Sequence, residues 1–164
     1  MTVTINGSTG IDKVQDGTIV QADLATGVAG TGPAFSVWSN TASSVTSAAN
    51  VPIIYNNVVF DTASAWNTTT SRFTPQVAGY YQIEANIAYS TANYAVATVV
   101  AKNGSAYKYI GNTGTASSSA GGSTLVYLNG STDHIQIFGY SATTQNSAVG
   151  STITHCSGFL VRAA

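Results

Sequence analysis

Two adjacent ionisable residues, Asp133 and His134, are the first candidates for chemistry in this sequence. Together with one of the many serines, they would supply the three residue types of a hydrolytic triad. Neighbouring residues of a strand point to opposite faces, however, so these two side chains are not expected to pair. The acidic residues of the β-rich part, Asp61, Glu84 and Asp133, are too scattered to predict a glycosidase pair. The sequence therefore predicts a protein that is not an enzyme.

A second adjacent pair, His155 and Cys156, contains residue types that bind metal ions. Neither this pair nor His134 has the spacing of a zinc site, and so few acidic residues offer little anionic oxygen to calcium. We therefore expect no metal and no cofactor. Cys156 is the only cysteine, so no disulfide can form within the chain. We expect it to be a small buried residue.

The composition of the 164-residue chain argues against several classes of partner. The net charge is −1 and no basic cluster exists, so the sequence does not predict nucleic-acid binding. No apolar run approaches the ~20 residues that span a bilayer, and the first ten residues lack the features of a signal peptide. We therefore expect that the protein is made in a cytoplasm and does not insert into a membrane. Charged residues make up 7% of the chain and apolar residues 44%, which favours a folded protein that hides surface in an oligomer.

The stretch from Arg72 to Ser90 predicts the central strand of the fold. Pro75 and Gly79 bracket a turn, because proline fixes φ and glycine tolerates positive φ. Beyond this turn, apolar side chains alternate with polar ones, so one face of the strand is buried and the other is wet. The apolar positions are Tyr81, Ile83, Ala85, Ile87 and Tyr89.

The rest of the chain from Phe35 onward also has the pattern of strands. Residues 35–38 predict a first strand, and residues 53–60 a second strand that contains a pair of asparagines. Asn103-Gly104 joins two β-rich runs, and this dipeptide is typical of a type I′ hairpin turn. A second hairpin is predicted to turn near Asn129-Gly130. No stretch has a helical period, so the sequence predicts an all-β antiparallel sandwich or jelly roll.

Three blocks of the sequence resemble the complement C1q and tumour-necrosis-factor-like family, over residues 34–164. The first block carries the family's pattern at Trp66, Asn67, Phe73, Pro75, Val77, Gly79 and Tyr81. The second has Gly130 and Asp133 as landmarks, although Ser131 and Thr132 split the usual Gly-Asp pair and leave the local turn open. The third is the closing strand, Ser157, Gly158, Phe159 and Leu160. The resemblance implies a ten-stranded jelly roll that packs as a compact homotrimer around a three-fold axis.

The first 34 residues differ in character from residues 35–164, the C1q-like domain. They contain no aromatic residue and end in a glycine-rich linker, so they are predicted to be a short irregular segment. Such a segment is expected to dock onto something, to wind with identical copies, or to stay loose. No collagen-like repeat is present in them. Their sequence instead resembles the N-terminal part of bacteriophage tail-fibre and related virion proteins. This resemblance implies a segment that attaches the domain to another virion protein.

The run Ser123–Leu128 bears on assembly because it is apolar on both faces. Leu125 and Tyr127 share one face, and Val126 and Leu128 share the other. One face meets the opposite sheet, so the other needs a further cover. This pattern favours a trimer interface at these four residues; a loop of the same chain is the alternative cover.

Recognition is the remaining chemistry that the sequence favours. Aromatic rings beside asparagine and serine can stack on sugar rings while amides bond the sugar hydroxyls. The candidate ligand-binding residues are Trp66, Tyr94, Tyr107, Tyr109 and Tyr140, and the alternative is that these rings are core or trimer contacts.

The resulting hypothesis is a non-enzymatic homotrimeric virion protein, a phage tail fibre or head fibre whose C1q-like head recognises a host-surface glycan or protein. One alternative is a structural capsid decoration or fibre knob that stabilises the particle without binding a receptor. Another is a tailspike that degrades polysaccharide.

Overall fold

The computed structural model describes residues 32–164, apart from the side chains of residues 115–117. Regular structure in this range consists of thirteen strands, four of them only two residues long, and no helix. In chain order they are β1 Ala34–Trp38, β2 Ser44–Val45, β3 Asn50–Pro52, β4 Asn57–Asp61, β5 Trp66–Asn67, β6 Arg72–Phe73, β7 Ala78–Ala88, β8 Tyr94–Lys102, β9 Ser105–Ser117, β10 Ser119–Asn129, β11 Ile135–Ser141, β12 Gln145–Asn146 and β13 His155–Ala163.

The strands form two main antiparallel sheets that pack against each other. The five-stranded sheet has the order β10-β7-β13-β1-β4. The six-stranded sheet has the order β5-β6-β11-β8-β9, and its sixth strand, β3, pairs with β11. A small third sheet joins β12 to β2. The predicted all-β antiparallel jelly roll is confirmed. The predicted segment 1–34 lies almost entirely outside the described residues.

Strand β7 is the central element that the alternation predicted. Its odd-numbered residues are buried and its even-numbered residues point outward, with β10 on one side and β13 on the other. Tyr81 on the buried face donates its hydroxyl to the Val77 carbonyl at 2.7 Å, which ties the strand to the turn before it. Its ring packs edge-on against Phe73, with 5.6 Å between centroids, and Phe73 in turn packs against Phe35. These aromatic side chains fill the space between the two sheets.

One predicted hairpin is confirmed and the other is wrong. Lys102 pairs with Ser105 across Asn103 and Gly104, whose φ angles of 53° and 80° are both positive, as a type I′ turn requires. Across Asn129-Gly130, by contrast, β10 joins the five-stranded sheet and β11 the six-stranded sheet. The chain therefore crosses between sheets at this turn and forms no hairpin.

The side chain of Asn129 orders this crossing turn. Its Oδ1 accepts hydrogen bonds from the backbone N–H groups of Ser131, Thr132 and Asp133, at 2.9–3.0 Å. Gly130 has a φ of +70°, and a Cβ at this position would overlap the backbone where β7 begins. The two residues inserted into the family's usual Gly-Asp pair are thus held by one asparagine.

The predicted second strand over residues 53–60 is shorter in the structure. Only its last part belongs to β4, which begins at Asn57. Before that point, hydroxyl groups take the place of ladder partners: the backbone N–H of Ile54 donates to Ser43 Oγ and that of Tyr55 to Ser71 Oγ, both at 2.9 Å. Ile53 and Tyr55 therefore enter the core from an irregular segment, whereas Ile54 between them is exposed.

Candidate functional site

Asp133 acts within the crossing turn. Its carboxylate pairs with Lys102 Nζ at 2.8 Å, accepts from Asn103 Nδ2 at 2.8 Å, and accepts from the Asn129 backbone N–H at 3.1 Å. These hydrogen bonds, first from Asn103 and then from Lys102, lower the pKa of Asp133. All three contacts stabilise the carboxylate in its charged form, so its role here is to close the turn.

The histidines and the cysteine do not converge on a shared centre. Burial, and then the charge of Arg72, lowers the pKa of His134. Cys156 is completely buried with a free thiol, and burial raises its pKa. Within residues 32–164, no group of three or more His, Cys, Asp or Glu side chains lies close enough together to hold a metal ion.

Trp66, one of the predicted ligand-binding residues, belongs to the core, so that prediction is wrong. The side chain is 8% exposed and its ring stacks on Phe35 with 5.0 Å between centroids. Its Nε1–H donates to the Tyr55 carbonyl at 3.1 Å, which satisfies the polar atom of the indole inside the protein.

Two other predicted residues, Tyr109 and Tyr140, share the outer face of the six-stranded sheet. Tyr109 pairs with Val99 on β8, and its hydroxyl accepts a hydrogen bond from Asn50 Nδ2 at 3.0 Å. Asn50 is the cross-strand partner of Tyr140. On the other side of Tyr140, the same row continues through Ala97 to Asn112 on β9. We call Asn50, Tyr109, Asn112 and Tyr140 the tyrosine patch.

The tyrosine patch has the chemistry of a shallow polar and aromatic platform. Tyr109 is 51% exposed, whereas Ala97, between Tyr140 and Asn112 in the row, is buried. The amides of Asn50 and Asn112 supply both donors and acceptors beside the rings. Rings for stacking and amides for hydrogen bonding are the combination that sugar rings require.

The remaining two predicted ligand-binding residues lie apart from the tyrosine patch. Tyr107 is exposed on β9, but its hydroxyl is turned to the Leu125 carbonyl of β10, at 3.4 Å. Tyr94 is the first residue of β8 and pairs with Ser117. The five predicted residues therefore do not form one site.

A second surface of interest is the outer face of the five-stranded sheet. Tyr127 on β10 pairs with Tyr80 on β7, and their ring centroids lie 5.5 Å apart. In the next row, Leu125 and Phe159 flank Gln82 from either side. We call Tyr80, Leu125, Tyr127 and Phe159 the apolar sheet face. Leu125 and Phe159 are 50% and 52% exposed, so a single chain leaves large apolar side chains open to water.

The four residues predicted at the trimer interface divide between the two sides of β10. Leu125 and Tyr127 belong to the apolar sheet face, whereas Val126 and Leu128 point into the sandwich and are buried by their own chain. The prediction is therefore wrong for Val126 and Leu128, because the core of the single chain already covers them.

The sequence predictions did not include Tyr80 and Phe159 on this face, or Asn50 and Asn112 in the tyrosine patch. Tyr80 was detectable, because it precedes the buried Tyr81 and the strand alternation assigns it to the wet face. Phe159 precedes the buried Leu160 in the same way. No local signal marks Asn50 or Asn112, because their neighbours are set by strand pairing.

The described residues, 32–164, include no helix long and apolar enough to cross a membrane. Comparison with known proteins gives no match among curated sequences. Solved structures with the same fold include the globular domain of the zebrafish complement 1qA protein, 18% identical with a TM-score of 0.59 over 80% of this chain and 98% of that one. Murine APRIL is 10% identical, with a TM-score of 0.63 over 78% and 98% of the two chains. Eiger TNF from S. frugiperda is 14% identical, with a TM-score of 0.62 over 80% and 93%.

The family model of the C1q domain matches residues 34–161, which include the apolar sheet face, the tyrosine patch and both main sheets except the last two residues of β13. The expected resemblance is thus confirmed at the level of the family and the fold. The chain belongs to the C1q domain family.

Proposed function

We propose that the protein is a non-enzymatic homotrimer in which copies cover each other's apolar sheet face. The observation that carries this proposal is the set of half-exposed side chains Tyr80, Leu125, Tyr127 and Phe159 on one sheet. A contiguous apolar patch on a folded chain is typical of an interaction surface. Identical copies are the proposed partner for this surface, because the family resemblance implies a three-fold assembly.

The chemistry of the apolar sheet face also favours copies of the same chain. The face carries few charges, and so does the whole chain, in which only 7% of residues are charged. A partner that recognised a strongly charged surface would find little to bind here. Burial of apolar area on both sides, with polar residues such as Gln82 between, resembles the composition of stable subunit interfaces.

We further propose that the trimer is a virion component, a phage tail fibre or head fibre, made in the host cytoplasm. Support comes from residues 1–34, whose sequence resembles the start of bacteriophage tail-fibre proteins. This segment is proposed to attach the C1q-like domain to another virion protein. Mass spectrometry of purified particles tests the assignment, and absence of the protein from the particle would exclude it.

The proposed role of the head is recognition of the host surface through the tyrosine patch. The patch lies on the outer face of the six-stranded sheet, and the apolar sheet face lies on the opposite sheet. A trimer built through the five-stranded sheet would therefore leave the patch open. Its tyrosines and amides favour a glycan as the ligand, with rings stacked on the sugars.

Binding of the purified protein to host cells, with free host saccharide as competitor, tests this role. We expect saturable binding that saccharide abolishes, and about tenfold weaker binding after Tyr109→Ala, because loss of a stacked ring removes about 1.4 kcal/mol. Tyr107→Ala is the matched control on the same strand, since its ring lies apart from the patch. Light scattering first establishes that both variants keep the wild-type oligomeric state.

The competing function is a structural one, a capsid decoration or fibre knob. In that case the trimer would form and the particle would lose stability without it, yet host cells would not bind the protein. New reducing ends released from host glycan would instead indicate a tailspike enzyme and contradict the proposal.

A further inference from the structure

Glu84 occupies an unusual position on the outer face of the five-stranded sheet. It lies in the middle of β7, exposed, and pairs with Ser123 on β10 and Ser157 on β13. The row continues to Ser36 on β1 and Phe60 on β4. Among residues 32–164, it is the single acidic side chain on this face. A lone carboxylate therefore lies one row away from Leu125 and Phe159.

No cation is placed to neutralise Glu84 within the subunit. The facing residues of β10, β1 and β4 carry no positive charge, and Asp61 of β4 is turned inward, where its carboxylate accepts from the backbone N–H of Trp66 at 2.8 Å. On β13, His155 lies one row beyond Glu84, and Arg162 lies beside Tyr80 at the far end of the apolar sheet face.

The remaining surroundings of Glu84 do not neutralise its charge either. On the buried side of the sheet, Cys156 pairs with Ala85, the residue after Glu84. Burial, and then the charge of Glu84, raises the pKa of its thiol. No ion pair within the described range involves Glu84; the pair that this range contains joins Lys102 to Asp133. The exposed carboxylate therefore has no cationic partner within the described residues.

We propose that Glu84 makes assembly of the trimer sensitive to acid, so that the subunits associate more tightly as the pH falls. The inference rests on the proposed trimer, because only a second copy covers this face. Burial of a charged carboxylate without a cation is costly, whereas burial of the neutral carboxylic acid costs far less. Covering the face thus favours uptake of a proton by Glu84.

Linkage gives the sign and the size of the effect. A group that binds its proton more tightly in the assembled state stabilises assembly as the pH falls. Suppose that covering the face raises the affinity of Glu84 for its proton tenfold in each subunit. Full protonation then strengthens the trimer about a thousandfold, because three copies are covered together.

A dilution series with fluorescently labelled copies measures the dissociation constant of the trimer at several pH values from 5.0 to 7.5. For the wild type we expect it to fall about fifteenfold between pH 7.5 and pH 5.0, because most of the thousandfold effect develops at lower pH. Glu84→Gln should assemble tightly at both ends, with most of the pH dependence gone. Asp133→Asn, which removes a carboxylate outside this face, should keep all of it.

The outcomes separate this inference from the proposed function. A trimer whose dissociation constant does not change with pH, or changes equally in Glu84→Gln, overturns the role of Glu84 and leaves the trimer intact. A trimer that loosens toward acid pH also overturns it. A monomer at every pH and concentration contradicts both proposals.

Discussion

Replacing Phe159 with alanine should weaken the trimer while leaving the subunit folded. The side chain is 52% exposed in the single chain. A phenylalanine presents roughly 200 Å² of surface, so about 100 Å² remains for a neighbouring copy to bury. At about 25 cal/mol per Å², this burial stabilises the trimer by about 2 kcal/mol per subunit after allowance for the alanine that remains. Three copies give about 6 kcal/mol, or about a ten-thousandfold increase in the dissociation constant.

Sedimentation equilibrium over a dilution series measures this change, and thermal unfolding of the dilute protein reports on the fold of the subunit. Val149→Ala is the matched control, because Val149 is 45% exposed in the loop between β12 and β13, away from the apolar sheet face. It should leave the dissociation constant unchanged. If Phe159→Ala behaves like this control, Phe159 is not covered by another copy and the interface has been assigned to the wrong face.

Three further predictions concern the subunit itself. Asp133→Asn should lower stability by about 1 kcal/mol at pH 7, measured by urea unfolding, because it removes the ion pair with Lys102 and weakens the bond to Asn103. The pKa of Asp133 is lowered in the folded protein. This contribution to stability is therefore present above the unfolded pKa of about 3.9 and is lost as the pH falls through the folded pKa. An equal difference in stability between wild type and variant at pH 2 would contradict this reasoning. Gly130→Ala should lower stability by about 3 kcal/mol, because the residue has positive φ and packs against backbone; an unchanged melting temperature would show that the turn can relax. Cys156 should resist thiol reagents in the folded protein and react on unfolding, because burial raises its pKa; rapid reaction of the native protein would refute its burial.

Local patterns in the sequence predicted the parts of the fold that depend on one or two neighbouring strands. The alternation from Tyr81 gave the buried face of β7 correctly, because side-chain direction alternates in any strand. Asn103-Gly104 identified its turn because both residues tolerate the positive φ that a tight hairpin demands. Asn129-Gly130 looked the same but joins two sheets, since a dipeptide carries no information about which strands pair beyond the turn.

The candidate sites were harder to predict because they depend on burial and on strand order. Trp66 next to an asparagine resembles a binding residue, yet its indole N–H finds a carbonyl inside the core. Val126 and Leu125 are equally apolar, and only the packing of the opposite sheet decides which of them is covered. Tyr109 and Tyr140 were predicted separately, and the order β3-β11-β8-β9 brings them to one face.

Copies of this chain are proposed to shield each other's apolar sheet face. Light scattering at micromolar concentration measures the solution mass of the wild-type protein. We expect a single species of three times the 16.7 kDa chain mass. A stable species with the mass of one chain, its Leu125 and Phe159 left open to water, would contradict it.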